Sequence, residues 1–144
     1  MNHRTLLKRL LCLVLVVLLA AAAMTLTGCK KNPKPAEADA QATDVGAGEK
    51  LIYLTVTFKD ESTRSYAVHT DADTVGEALL GAELIAGEDS QYGLYVTTVD
   101  GQTLDWDADG MYWAFYENGE YAASGVDSTA VTDGSTYAFV ATPG

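Results

Sequence analysis

The chain has 144 residues and a formal net charge of −11, and the part from Lys50 to Gly144 is more acidic than the whole. That part has three basic residues against sixteen acidic ones, a net charge of −13. Such a surplus repels nucleic-acid phosphates and anionic lipid headgroups, which argues against nucleic acid as a partner. Its length fits one small domain.

The N-terminus has the pattern of a lipoprotein signal. Basic residues among the first nine positions precede an apolar run from Leu10 to Leu26, the order found in secretory signals. The following Leu26-Thr27-Gly28-Cys29 resembles the lipobox of bacterial lipoproteins, in which the signal is cut before the cysteine and the cysteine thiol receives a diacylglycerol. This resemblance implies a signal peptide over residues 1–28 and a lipid-anchored Cys29 on the outer face of the cytoplasmic membrane. An uncleaved transmembrane anchor is the alternative.

Residues 29–49 are expected to form a flexible linker. The segment is rich in Ala, Pro, Gly and charge, with Val45 as its only sizeable apolar residue. It cannot bury enough surface to offset its ordering entropy. With Cys12 in the signal and Cys29 lipidated, residues 50–144 hold no thiol. The domain therefore has no cysteine for a disulfide or a zinc site.

Alternation of apolar and polar residues predicts most of the domain to be β-strand. Asp-Gly and Asn-Gly pairs between the segments are turn signals, because these turns need positive φ. The predicted strands are Leu51–Phe58, Arg64–Thr70, Tyr92–Val99, Met111–Glu117, Thr129–Thr132 and Thr136–Thr142.

One helix interrupts the strands. Thr74 and Glu77 form a capping box, which satisfies free amides at a helix start. Apolar residues at helical spacing then predict about three turns from Val75 to Ile85, with Gly87 as the stop. This order predicts an α+β domain with one helix packed on a mostly antiparallel or mixed sheet.

Short motifs, in order along the chain, resemble a known family. They are Gly93-x-Tyr95-Val96-Thr97-x-Val99, Tyr112-Trp113, Gly125-Val126-Asp127 and Asp133-Gly134. They are similar to the C-terminal β-domain of transcobalamin and intrinsic factor, and to bacterial DUF4430-type domains often found on lipoproteins. The resemblance covers about Leu51 to Ala141 and implies a β-grasp-like fold and one wall of a cobalamin site. In the animal proteins a helical domain supplies the other wall, so here a partner protein, a second copy or a different ligand is needed.

Six candidate ligand-binding residues follow from position in this resemblance. They are Gly93, Leu94, Tyr95, Trp113, Gly125 and Val126. Tyr and Trp offer apolar faces to a flat organic ring, but strands also favour these residues for packing alone. On the strand Met111–Glu117, odd-numbered and even-numbered side chains point to opposite faces, so only one set is available for binding.

The acidic segment Asp105, Asp107, Asp109 and Gly110 is a candidate metal site. Carboxylates at this spacing begin an EF-hand loop, which needs a bidentate Glu at its twelfth position. That position is Tyr116, and the residues after Gly110 alternate as a strand, so the EF-hand interpretation fails. Two interpretations stay open: a weaker calcium site of another kind, or a hydrated turn in which Gly110 takes an unusual φ.

We expect no enzymatic activity. His69 is the only histidine after the signal, and the common nucleophile and zinc motifs are absent from the sequence. The predicted function is a lipid-anchored extracytoplasmic binding module for a small organic ligand, with cobalamin or another corrinoid as the candidate, that feeds a membrane transporter. The alternative is a cell-surface protein-interaction or adhesion module that presents a sheet edge to a partner and has no small-molecule ligand.

Overall fold

A computed structural model describes residues 42–144; the predicted signal peptide and the predicted lipidation site Cys29 lie outside this range. Along the chain the elements are β1 (Thr43–Gly46), β2 (Lys50–Thr57), β3 (Thr63–Thr70), α1 (Val75–Gly81), β4 (Ile85–Ser90), β5 (Gly93–Val99), β6 (Gln102–Thr103), α2 (Trp106–Asp109), β7 (Met111–Glu117), β8 (Glu120–Tyr121), a 3₁₀ turn (Val126–Ser128) and β9 (Thr136–Pro143). Neither α-helix in residues 42–144 has the length and apolar character needed to cross a bilayer.

The strands form two sheets. Six lie in the order β1-β3-β2-β9-β7-β8, and the other three lie in the order β4-β5-β6. Within the larger sheet β2 pairs in parallel with β9 and β1 with β3, whereas the remaining neighbours are antiparallel. The first long strand and the last strand thus lie side by side, as in a β-grasp. The predicted α+β class, with one main helix packed on a mixed sheet, is confirmed.

The core lies against one face of the six-stranded sheet. Strand alternation directs Ile52, Leu54 and Val56 of β2 into it. Tyr137 and Phe139 of the neighbouring β9 lie beside them, also almost completely buried. Apolar side chains of α1 and of the three-stranded sheet join the same cluster, so one core serves both sheets.

The helix begins where predicted and ends earlier. Thr74 caps α1 by accepting a hydrogen bond from the Glu77 amide at 3.3 Å. The predicted helix to Ile85 is wrong, because α1 ends at Gly81 and Glu83 takes φ 57°. Ile85 instead begins β4 and is buried in the core from there. Periodicity could not separate these outcomes, since a short apolar run fits either a helix end or a buried strand.

Two further expectations differ from the structure. Thr129–Thr132 is not a strand: it makes one isolated bridge, between Ala130 and Thr74, and its backbone binds the start of α1. The predicted linker overlaps β1, because Thr43–Gly46 pairs in parallel with β3. Pairing with the free edge of β3 and packing of Val45 on the core order a segment that has few apolar residues.

Candidate functional site

Three of the six predicted ligand-binding residues, Gly93, Leu94 and Gly125, lie close to the side chain of Asp127. Gly93 and Leu94 begin β5, and the Leu94 amide donates a hydrogen bond to Asp127 Oδ2 at 3.0 Å. Asp127 itself follows Gly125 and Val126 in the 3₁₀ turn. A carboxylate distant in sequence therefore joins the start of β5 to this turn.

Gly93 is the position where this junction requires glycine. Its φ is 101°, a value that residues with side chains rarely adopt, and an added Cβ would overlap the Asp127 carboxylate. The absence of a side chain lets the carboxylate approach the backbone closely enough to accept the Leu94 amide.

Two of the predicted residues lie in the core. Trp113 is 6% exposed and Val126 is 2% exposed. The Trp113 indole donates a hydrogen bond from Nε1 to the Thr97 carbonyl at 3.2 Å and meets the Phe58 ring edge-on at 6.3 Å. The structure thus places Trp113 between β7 and β5, where it supports the strands and is not a surface contact for a ligand.

Tyr95 lines an open groove of about 550 Å³. The other lining residues are Trp106, Tyr112, Pro143 and Gly144. Tyr95 is 49% exposed and Trp106 is 54% exposed, so both rings present large apolar faces to solvent. The rings of Trp106 and Tyr112 are inclined at 52° with their centroids 6.0 Å apart. Three aromatic side chains therefore surround one concave surface.

Trp106 and Tyr112 were absent from the predicted ligand-binding residues. The sequence carried part of the signal for Tyr112: alternation along β7 places it on the face opposite Trp113, but it does not say which face is buried. Trp106 had no comparable signal, because its direction depends on the fold of the acidic segment around it.

That acidic segment is a helical turn, which holds Trp106 in place. Asp105 caps α2 by accepting a hydrogen bond from the Ala108 amide at 2.8 Å. Asp109 Oδ2 accepts one from the Asp105 amide at 3.0 Å, and its other oxygen, Oδ1, pairs with Lys59 Nζ at 2.7 Å. Gly110 ends the turn at φ 61°, which confirms the unusual φ expected there.

These contacts have an electrostatic consequence for Asp109. The hydrogen bond from the Lys59 ammonium, followed by that from the Asp105 amide, holds the pKa of Asp109 below its ordinary value.

The contacts within the turn also bear on the calcium interpretation of Asp105, Asp107 and Asp109. Asp105 and Asp109 are engaged within the turn, and residues 42–144 contain no group of three or more His, Cys, Asp or Glu side chains placed to hold a metal.

The aromatic surface continues away from the groove along β7 and β8. Tyr116 and Tyr121 are paired across these strands, with ring centroids 5.5 Å apart. Burial, followed by the neighbouring Tyr112 side chain, raises the pKa of Tyr121. Tyr112 therefore lines the groove and also neighbours this second pair of rings.

Comparison with known proteins gives a family match and a solved relative. The family described as "Domain of unknown function (DUF4430)" matches residues 72–139. The chain is 35% identical to a protein from Ruminococcus gnavus ATCC 29149 that is named for a suggested metal-binding role. The match covers 67% of this chain and 99% of that protein, with a TM-score of 0.63. No curated protein sequence matches the chain.

A second solved structure shares the fold at lower identity. It is haptocorrin in complex with Cbi, 19% identical, with a TM-score of 0.55. The match covers 65% of this chain and 25% of haptocorrin. At this identity the similarity shows a common fold with one part of a larger protein.

The contact between Gly93 and Asp127 is testable by a double-mutant cycle. Gly93→Ala should lower the free energy of unfolding by roughly 1–3 kcal/mol, because it adds backbone strain and steric overlap. Adding Asp127→Ala should remove the overlap, so the double variant should cost less than the sum of the single changes. Urea denaturation of the four proteins measures the difference.

Gly101 is the matched control, because it has φ 77° but nothing within 4 Å of an added Cβ. Gly101→Ala should therefore show strain alone and be additive with Asp127→Ala. Additive costs for Gly93 and Asp127 would contradict the contact.

The pairing of Lys59 with Asp109 predicts a pH dependence. The pKa of Asp109 is lower in the folded protein than in the unfolded chain. The ionised carboxylate therefore stabilises the fold at pH values above its unfolded pKa, and this stabilisation is lost as the pH falls through its folded pKa. Lys59→Met should raise the pKa of Asp109 toward its ordinary value and shift that loss to higher pH. Carboxyl NMR titration measures the pKa directly. Lys50→Met is the control, since the Lys50 ammonium binds the Ala72 carbonyl at the other end of β2; an equal shift in both variants would refute the pairing.

Proposed function

Because the chain belongs to the DUF4430 family of transcobalamin-like domains, we propose that it is a lipid-anchored extracytoplasmic module that binds a small organic ligand. The observation that carries this proposal is the groove between Tyr95, Trp106 and Tyr112. Small-molecule sites are concave and mostly apolar, with aromatic walls and few polar groups. The groove has this character, and rigid strands or a capped turn hold each of its rings.

A corrinoid is the candidate ligand within this proposal. The fold is shared with haptocorrin, whose solved structure contains Cbi, and a flat macrocycle could lie against the exposed rings. The groove is open, however, and one open surface buries only part of a large ligand. A partner protein or a second copy of the chain would supply the opposite wall. The match to only 25% of haptocorrin is consistent with half of a larger binding site.

The name of the Ruminococcus gnavus relative raises metal binding as another function. Hard cations such as calcium need six or more oxygen ligands around one point. At α2 the Asp105 carboxylate accepts a backbone amide, and the Asp109 carboxylate accepts a backbone amide and pairs with Lys59. The described residues therefore favour an organic ligand over a metal ion.

Anchoring at Cys29 fits a capture role. Acyl chains on Cys29 would keep the domain at the outer face of the cytoplasmic membrane, because two or more chains attach stably where a single chain is marginal. The residues between Cys29 and β1 would act as a short tether. A ligand held there is well placed for transfer to a membrane transporter.

Tryptophan fluorescence tests ligand binding and can distinguish the groove from the core, because one tryptophan lies in each. The chain has two tryptophans, of which Trp106 is 54% exposed in the groove and Trp113 is 6% exposed in the core. Titration of the full chain in detergent with cobinamide or cobalamin should quench the emission. Trp106→Phe should lose most of this quenching, whereas Trp113→Phe should keep it. Isothermal titration of the same proteins measures binding independently of ligand colour; no response to either corrinoid would remove the corrinoid version.

Cys29→Ser tests the anchor. The variant should lack the diacylglycerol mass that intact-protein mass spectrometry detects on the wild-type chain expressed in a bacterial host. Cys12→Ser is the matched control and should keep that mass, because Cys12 lies within the predicted signal. Lipid retained by Cys29→Ser would show that the cysteine is not the attachment site.

A further inference from the structure

We propose that the groove selects an organic cation with a weakly hydrated charge, of the quaternary ammonium type. This inference rests on the proposed function, and for the same groove it names a ligand class other than the corrinoid candidate. Three observations support it: the geometry of the aromatic rings, the charge of the domain, and the contacts already made by the nearby carboxylates and lysine.

The ring geometry suits a cation. A cation is attracted to the face of Trp or Tyr when it lies within about 6 Å of the ring centroid. The Trp106 and Tyr112 centroids are 6.0 Å apart, the rings are inclined at 52°, and both residues line the groove, so the two rings are close enough for one bound cation to contact both. Tyr95 lines the same groove and adds a third ring.

The charge of the domain favours the same ligand. None of the five lining residues is basic. The domain from Lys50 to Gly144 carries a net charge of −13, which raises the local concentration of cations at its surface. The basic residue beside α2, Lys59, is paired with Asp109 and so does not present a free positive charge to the groove.

The walls also distinguish between kinds of cation. A strongly hydrated ion must replace lost water with several oxygen ligands. The carboxylates of Asp105 and Asp109 are committed to the backbone amides of α2, and the groove is lined by rings, Pro143 and Gly144. An alkylated ammonium group needs no such oxygen cage, because its charge is spread over methyl groups that pack on aromatic faces.

Choline and its neutral isostere 3,3-dimethylbutan-1-ol test the role of charge at constant shape. In the isostere a carbon atom replaces the ammonium nitrogen. Isothermal titration of the full chain in detergent should give a dissociation constant for choline about tenfold or more below that of the isostere, the range expected for partly desolvated cation–π contacts. The preference should weaken as salt is raised.

Variants locate the effect. Trp106→Leu keeps an apolar side chain but removes the ring face, and should bring the two affinities close together. Tyr92→Leu is the control, because Tyr92 is 86% exposed and lies outside the lining residues of the groove; it should keep the full preference for choline. Equal losses in both variants would overturn the assignment to the groove.

The corrinoid titration run beside this one separates the two proposals. If choline binds and neither corrinoid gives a binding signal, the organic cation is supported as the ligand and the corrinoid is rejected. If a corrinoid binds but choline does not, or if choline and its isostere bind with equal affinity, the proposal that the groove selects an organic cation is refuted. The proposal that the domain binds a small organic ligand is then kept. Silence from every ligand overturns both.

Discussion

Burial of the Trp113 indole is the constraint on which the arrangement of the site depends. Its Nε1 donates to the Thr97 carbonyl at 3.2 Å, so one buried side chain joins β7 of the large sheet to β5 of the small one. Because side chains alternate along a strand, sending Trp113 inward sends Tyr112 outward. The same residue thus sets the spacing of the two strands and the side on which the groove forms.

Contacts between residues far apart in sequence then hold the surface features in position. Asp127 binds the Leu94 amide across 33 residues, and Lys59 reaches Asp109 across 50. The ion pair between Lys59 and Asp109 is partly exposed, so its contribution to stability is modest and falls with salt. It also has a structural role, because Asp109 closes the short turn that contains Trp106. A four-residue helix has little stability of its own and depends on such contacts.

A binding surface of this kind has clear physical limits. The groove is open, so affinity for a large ligand requires a second wall, whereas a small group between the rings needs less enclosure. The negative charge of the domain acts over a longer range than ring contacts and draws cations toward the surface. The proposed lipid anchor at Cys29 would add a high local concentration at the membrane without any new contact.

The sequence by itself determined the elements with strong local signals: the strands β2, β3, β5, β7 and β9, the cap at Thr74, and the motifs that identify the family. These depend on alternation, turn chemistry and short spacing, which neighbouring residues specify. Tertiary structure decided the rest. Ile85 became a strand residue because β5 offered it a pairing partner, and Thr43–Gly46 became ordered because β3 had a free edge. Alternation defined two faces of β7, but only packing against β5 decided that Trp113 is buried and Tyr112 lines the groove, since a period of two carries no information on which side the core lies.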